Sequence, residues 1–389
     1  MVTREYGSDK RYGLGRSVWP LVEALAARGW AVRYLCQEDL SPAQLHSRQV
    51  WVQRLGRLVG RERHPHRQWL VTAWAERLQM GWHAARTACE GGYTHVHLHD
   101  PWMGLGFAWG LRRWPQPGVR WGMTEHGFGC YSQATHDDGL VQGPRTMRWL
   151  RRVETHVLAQ AHWVVCPTEA ARHQLARDLG LPHPPAHWQC IPHARPEISD
   201  LPKQQARQRL GWDEHGLYVL GVGRLVPLKR FDDLLAACIT LSQRWPQLRL
   251  CLLGGGDASA LRTMTETHQF ADRLLIAETD EVAPYYRAAD VYVSTSSTES
   301  FGLANLEALC AGLPSICTAV GGVPEVVGDG GWLVPTERTV VQQALQTLLE
   351  DPALRMFWAE RAMQRAAQWP GLDEVTQRYV ELYTTAPAG

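Results

Sequence analysis

Two glutamates eight positions apart, Glu299 and Glu307, stand in the stretch STESFGLANLEALCAGLPSICTAVGGVPEVV, 297–327. Leu303, Leu306 and Leu309 recur at helical spacing, and Gly312-Leu313-Pro314 stops the pattern. Ser297 or Thr298 is the expected cap of that helix. Phe301, Gly302 and Leu303 then offer backbone N–H groups at a helix N-terminus, which is an anion site. Glu299 sits just ahead of those donors, and Glu307 lies about one and a half turns into the helix. A surface helix with two solvated glutamates is the competing reading, and Gly302 with the following GLP and GGVPE argues against it.

A second chemical cluster is GVGRLVPLKRFDDLL, 221–235. An apolar strand ends in Gly221-Val222-Gly223, and Arg224 and Lys229 follow before a helix that begins near Phe231. Two cations on one strand-to-helix loop can neutralise a departing diphosphate, since developing charge is best met by fixed positive groups. A nicotinamide-binding reading fails because the third glycine is missing and no acidic residue ends a following strand at the right distance.

The first half of the chain carries weaker signals. Gly13 and Gly15, in YGSDKRYGLGRSV (6–18), enter the first helix, where glycine lets backbone approach a phosphate or a sugar. His126, in MTEHGFG (123–129), ends a strand between polar and glycine residues. In HVHLHD, His95, His97 and His99 share one strand face and Asp100 follows. Alternate residues of a strand stand nearly 7 Å apart, so a metal site is not expected there. His99 and Asp100 are instead expected to line the acceptor side of a cleft.

The elements that must position these groups alternate between short apolar runs and amphipathic helices, the pattern of βαβ units and parallel sheets. Strands are expected at 31–36, 95–99, 119–125 and 162–168, and again at 217–223, 248–256, 273–278, 290–296 and 314–318. Val18, Leu21, Val22 and Leu25 form one helix face that ends at Gly29. MVTREY reads as the tail of a strand whose start is missing. Prolines 182, 184, 185, 192 and 196 mark a connection between two halves. The expected architecture is therefore α/β, two Rossmann-like parallel-sheet domains facing each other across a cleft.

Composition sets the outer bounds. A chain of 389 residues exceeds most single cores, and 45% hydrophobic with 20% charged residues is ordinary for a globular protein. A net charge of +1 provides no global field for nucleic acid, so none is expected as a partner. Nine scattered cysteines without a CxxC pair point to reduced thiols and a cytoplasmic setting. No charged-then-apolar leader and no long apolar run is visible. Eighteen tryptophans are read first as core residues and second as a contact surface. The segment 51–74 carries Arg54, Arg57, Arg61, Arg63 and Arg67. It reads as a solvated helical face, with peripheral contact to anionic headgroups on the inner membrane face as the second reading. RTMRWLRR, 145–152, joins the same surface.

GVGRLVPLKRFDDLLAA, SSTESFGLANLEALCAGLPSICTAVGGVPEVV and GGWLVP together resemble the C-terminal domain of retaining glycosyltransferase family 4, with its GT-B fold. YGLGRSVWPLVEALAARGWAVRYL and EAARHQL resemble its N-terminal domain more loosely. The resemblance implies a nucleoside-diphosphate sugar donor, a hydroxyl acceptor, transfer with retention, no catalytic metal and no cofactor. It assigns Arg224 and Lys229 to the donor diphosphate, and Glu299 with the Phe301–Leu303 amides to the donor sugar. Glu307 falls to the ribose, His126 to the donor sugar and the loop of Gly13 and Gly15 to its phosphate. Base recognition falls to the loop 277–282. The implied domains are 1–195 and 196–369, with a last helix at about 370–389 returning to the first.

Two departures stand out: Tyr12-Gly13 replaces the family's double glycine, and PHARPE replaces the usual Asn-Gly after the linker strand. An epimerase or phosphorylase of the same fold is one alternative, though no pyridoxal-phosphate lysine site is recognisable. The alternative from another class is a catalytically inactive nucleotide-sugar-binding or scaffold protein. The presence of Arg224, Lys229, Glu299 and Glu307 together disfavours it.

Overall fold

Two parallel sheets organise the chain in a computed structural model that describes residues 1–7, 13–59, 65–137, 141 and 143–385. By internal contacts the chain divides into two compact units, Met1–His193 with Leu372–Gly389, and Ala194–Gly371.

The first unit holds a four-stranded parallel sheet: β1 (His95–Leu98), β2 (Arg120–Thr124), β3 (Trp163–Cys166) and β4 (Trp188–Cys190), in that order. All of β3 is buried, which is why these strands read as continuous apolar runs. The helix Gly13–Ala27 buries Val18, Leu21, Val22 and Leu25 as its periodicity predicts. The expected strand at 31–36 reduces to a bridge at Leu35. Its pairing segment is short: Leu35 N–H donates to Met1 O at 2.8 Å, and Thr3 N–H donates to Leu35 O at 2.9 Å. On its other side Val2 N–H donates to His97 O at 2.8 Å, so this opening segment lies between Leu35 and β1.

One strand lies where the sequence suggested only a connection. β4 falls inside the proline-rich stretch, and Trp188 is buried there against β3. Proline is tolerated at a strand's margin, and Pro184 and Pro185 precede the pairing residues. A further feature is a pair of long helices, Pro42–Val59 and Pro65–Gly91, which extend beyond the segment 51–74 read as helical. The second packs on the helix Pro101–Arg113 so closely that a Cβ on Gly81 would lie 2.0 Å from the Met103 carbonyl oxygen. Glycine is therefore required at that contact. The last helix, Leu372–Thr385, buries Tyr379 and Tyr383 and belongs to this unit.

The second unit holds six parallel strands: β5 (Leu217–Val222), β6 (Leu248–Leu253), β7 (Leu274–Ala277), β8 (Val291–Ser294), β9 (Ser315–Thr318) and β10 (Trp332–Val334). Their order is β10-β9-β8-β5-β6-β7. Strand succession runs one way from β5 to β7 and the other way from β8 to β10. The direction thus reverses between the neighbours β5 and β8, where chains of this architecture leave a crevice at the strands' carboxyl ends. Apolar clusters cover both sheet faces, one with Leu234, Leu250 and Leu345, the other with Leu220, Tyr286 and Val323. No helix among the described residues is long and apolar enough to cross a membrane.

Candidate active site

The loops leaving β5 and β8 carry the residues singled out as chemical, and topology alone makes these loops neighbours. Side chains then tie them together. Thr295 Oγ1 donates to Lys229 O at 2.7 Å, and Ser297 N–H and Oγ donate to Leu228 O at 2.8 and 3.2 Å. Thr318 Oγ1, from the end of β9, donates to Ser296 O at 2.7 Å.

Ser297 is thereby spent on the neighbouring loop, and the expected cap by Ser297 or Thr298 is corrected. The helix runs Leu303–Cys310, and its N-cap is Gly302 in the left-handed region at φ +83°. A Cβ on Gly302 would approach Asn305 Nδ2 to 2.6 Å, so the turn is built for glycine. Phe301 contributes backbone to this turn. Its buried ring packs with Leu306 and Val326 and meets Trp369 edge-on at 5.6 Å.

Lys229 and Glu299 form an ion pair, Nζ to Oε1 at 2.7 Å, with about one fifth of each side chain exposed. The Lys229 stem lies over Gly223, whose hypothetical Cβ would sit 2.9 Å from Lys229 Cε. Arg224 is exposed on the same loop and has no ion-pair partner among the described residues. Its neighbour Leu225 is pinned by an N–H bond to Gly255 O at 2.8 Å. The helix after this loop is Phe231–Leu241, as expected. Arg230 precedes it at φ +49°, paired to Asp233 at 2.5 Å and donating to Thr336 O at 2.8 Å. Sequence reasoning passed over Arg230, although its place between Lys229 and a Phe-Asp-Asp helix start was visible.

Glu307 is buried, so the reading of two solvated glutamates is excluded. Its Oε2 accepts from the Tyr286 hydroxyl at 2.8 Å, and that hydroxyl lies 3.1 Å from Ala304 O. Tyr292 donates to Asn305 Oδ1 at 2.8 Å on the same helix, its phenol pushed well up by burial. Neither tyrosine was predictable as a partner, because each comes from an element closed onto this helix by tertiary packing. Glu278, in the loop assigned to base recognition, lies against Gly255 near the carboxyl ends of β6 and β7.

In the first unit, His126 stands at the carboxyl end of β2 with Nε2 2.9 Å from His99 Nδ1. His193 stacks on it at 5.9 Å and 7°. Burial holds His126 down at about 3 and His193 at about 4, so both rings are neutral at physiological pH.

The expectation that His99 and Asp100 line an acceptor surface is corrected, since both are buried. Asp100 Oδ1 caps the helix Pro101–Arg113 through Trp102 N–H at 2.9 Å, and its Oδ2 pairs with buried Arg77 at 2.8 Å. His95 and His97 are taken up by packing: His95 Nε2 lies 3.0 Å from Tyr383 O and His97 Nε2 2.7 Å from Thr124 Oγ1. Among the described residues no group of three or more His, Cys, Asp or Glu side chains is arranged to hold a metal ion.

Gly13 opens the helix Gly13–Ala27 and Gly15 is buried in it, while the preceding residues 8–12 lie outside the described residues. Of the basic segment, Arg54 and Arg57 are exposed on the helix Pro42–Val59 with Trp51 beside them, and Arg61 and Arg63 lie outside the described residues. Arg67 falls in the helix Pro65–Gly91. Arg148, Trp149 and Arg152 are exposed on the helix Pro144–Gln160, and Trp149 touches Trp74 of the helix Pro65–Gly91 at 5.3 Å.

Known proteins resemble this chain in sequence and in fold. The family described as "Glycosyl transferases group 1" matches residues 202–365, and the "Glycosyl transferase 4-like domain" matches 12–192. A D-inositol 3-phosphate glycosyltransferase of Streptomyces avermitilis is 30% identical over 76% of this chain, a match spanning 66% of its own length, just under two thirds. The enzyme of that description from Kineococcus radiotolerans is 32% identical over 78% of this chain and 74% of its own.

Among solved structures, the sucrose-phosphate synthase of Thermosynechococcus elongatus superposes with a TM-score of 0.73 at 22% identity. That match covers 99% of this chain and 95% of the other. Anabaena HepE in complex with UDP-glucose gives a TM-score of 0.66 at 20% identity, covering 79% and 82%. With both halves matched in sequence and both sheets matched in fold, the chain belongs to the group 1, family-4-like glycosyl transferases and has the GT-B fold.

Proposed function

We propose that the chain is a retaining glycosyltransferase that moves a hexosyl group from a nucleoside-diphosphate sugar to a hydroxyl acceptor without a metal ion. The observation that carries this reading is the Lys229–Glu299 pair at the carboxyl ends of β5 and β8, beside exposed Arg224 and the N-terminal turn of the helix Leu303–Cys310. The pair joins a cation suited to a diphosphate to a carboxylate suited to sugar hydroxyls. The UDP-glucose held by Anabaena HepE, a structure of the same fold, supports this donor class.

In the proposed reaction the bond between the sugar's anomeric carbon and the diphosphate oxygen breaks, and the electron pair leaves with the diphosphate. Arg224 and Lys229 stabilise that charge, work a metal does in other transferases. The acceptor oxygen bonds to the anomeric carbon on the face just vacated, and its proton passes to a diphosphate oxygen. Configuration is retained. Glu299 orients the sugar, the Phe301–Leu303 backbone supports it and Glu307 holds the ribose, these roles resting on the family resemblance. So do those of His126 at the sugar and of Gly13 and Gly15 at the phosphate.

Exposed Trp51 and Trp149, with Arg54, Arg57, Arg148 and Arg152, support peripheral contact between the first unit and an anionic membrane.

The test is a mass-spectrometric screen with UDP-, GDP- and ADP-sugars in the presence of a chelator, with product configuration read by NMR. Slow release of free sugar from one donor, persisting in chelator, is expected. Binding of a donor without any turnover would support the scaffold reading instead, and inversion in the product would overturn the front-face route.

A further inference from the structure

The helix Pro144–Gln160 carries Arg148, Arg151, Arg152 and His156 at helical spacing, which gathers them on one side of its surface. With Gln133 and His136 of the helix Tyr131–Asp137 they line a groove of about 870 Å³ in the first unit. No acidic side chain is among the described residues that line it, and neither is any residue assigned to the reaction. In a chain whose net charge is +1, three arginines and two histidines on one groove make a local concentration of positive potential.

Arg151 is half-buried, and its guanidinium donates to Gln133 Oε1 on the other helix. Gln133 Nε2 donates in turn to Asp137 Oδ1 at 2.7 Å, and the same oxygen stands 3.4 Å from His136 Nδ1. That chain of contacts holds one guanidinium between the two helices, while Arg148 and Arg152 are exposed beside it. A guanidinium held in place loses less freedom on binding, and its planar fork fits two phosphate oxygens. The groove is larger than a single phosphate and falls in the size range of small-molecule clefts. Exposed Trp149 lies between Arg148 and Arg152 in sequence and packs on Trp74 at 5.3 Å. Tryptophan among arginines at a surface is the composition of a membrane interface.

We infer that this groove receives the exposed phosphate monoester of an anionic lipid headgroup. It thereby gives the first unit a headgroup preference beyond general attraction to negative charge. The inference rests on the proposed peripheral contact with an anionic membrane. A monoester carries close to two charges and three free oxygens, which several guanidiniums can share, whereas a phosphodiester offers one charge.

The experiment is flotation of the full chain with phosphatidylcholine vesicles that contain either phosphatidic acid or phosphatidylglycerol, matched for surface potential. Wild type should bind the phosphatidic acid vesicles about tenfold more tightly. The double variant Arg148→Gln/Arg152→Gln should cut that preference to less than about twofold, and so should Arg151→Lys, which keeps the charge and loses the fork. Arg54→Gln/Arg57→Gln, on the helix Pro42–Val59, should weaken binding to both vesicles alike and leave the preference in place. These four glutamine sites are exposed, so circular dichroism should show both double variants folded. A preference that survives Arg148→Gln/Arg152→Gln, or that disappears in Arg54→Gln/Arg57→Gln, overturns the inference. Glycerol phosphate in solution is the competitor, and binding of it as tight as that of the vesicles would assign the groove to a soluble phosphate and overturn the lipid assignment. Equal binding of wild type to the two vesicles overturns the groove and leaves the peripheral contact standing, whereas binding to neither overturns both.

Discussion

Lys229 and Glu299 pair across 2.7 Å, and in the proposed reaction a diphosphate draws the ammonium toward itself while the carboxylate turns to the sugar. The two roles then separate under mutation. Glu299→Ala should lower turnover by about a hundredfold or more while nucleotide affinity, measured by titration calorimetry, stays within about threefold. Near-wild-type turnover would sink the assignment. Tyr286 makes a different kind of contact, with Glu307, where both partners are buried. Tyr286→Phe leaves that carboxylate short of a donor and should cost about 1–3 kcal/mol in urea unfolding of the second unit. The charged residues were legible because each follows an apolar run by a few residues. Tyr286 was not, since its partner stands on another element and no spacing rule joins them.

Elements decide how these side chains are aimed. Reading Ser297 or Thr298 as a helix cap was sound by residue preference, but it ignored the loop after β5, whose Leu228 carbonyl takes the Ser297 hydroxyl. The actual cap, Gly302, makes a sharper prediction. Gly302→Ala should lower stability by about 1–2 kcal/mol through left-handed strain and crowding against Asn305, seen as a fall of a few degrees in Tm. An unchanged Tm would show that the turn can relax.

The strand ends of the first unit make a pH prediction. Unfolded histidines take up protons near 6.5, whereas folded His126 and His193 resist until about 3 and 4. Their contribution to stability is therefore complete above the unfolded value and is lost as pH falls through the window below it. Each should remove up to about 1.4 kcal/mol per pH unit there. Urea midpoints at pH 7.5, 6 and 5 should decline accordingly, and a flat series would contradict the neutral, half-buried stack.

At the scale of the molecule, the last helix, Leu372–Thr385, belongs to the first unit although it follows the second in the chain. Tyr383 is its anchor, with its hydroxyl on His97 and its carbonyl accepting from Arg120 at 2.8 Å. Tyr383→Ala should destabilise the first unit by about 3–5 kcal/mol. Calorimetry should then resolve an early transition for that unit, while the transition of Ala194–Gly371 stays in place.

The alternation of apolar runs with amphipathic helices, the two glycine-bearing loops and their charges were written in local order, because strand burial and helix periodicity are properties of neighbours in the chain. Local order also led to one overreading, the strand at 31–36, and two omissions, β4 among prolines and the short β10. In each, pairing overrode propensity: a strand exists only where a neighbour supplies a ladder. That Lys229 meets Glu299 came from the reversal of strand order between β5 and β8. That Asp100 is consumed by Arg77, and His99 turned to His126, came from packing. Such contacts join residues 23 to 70 positions apart, and only the closed fold makes them neighbours.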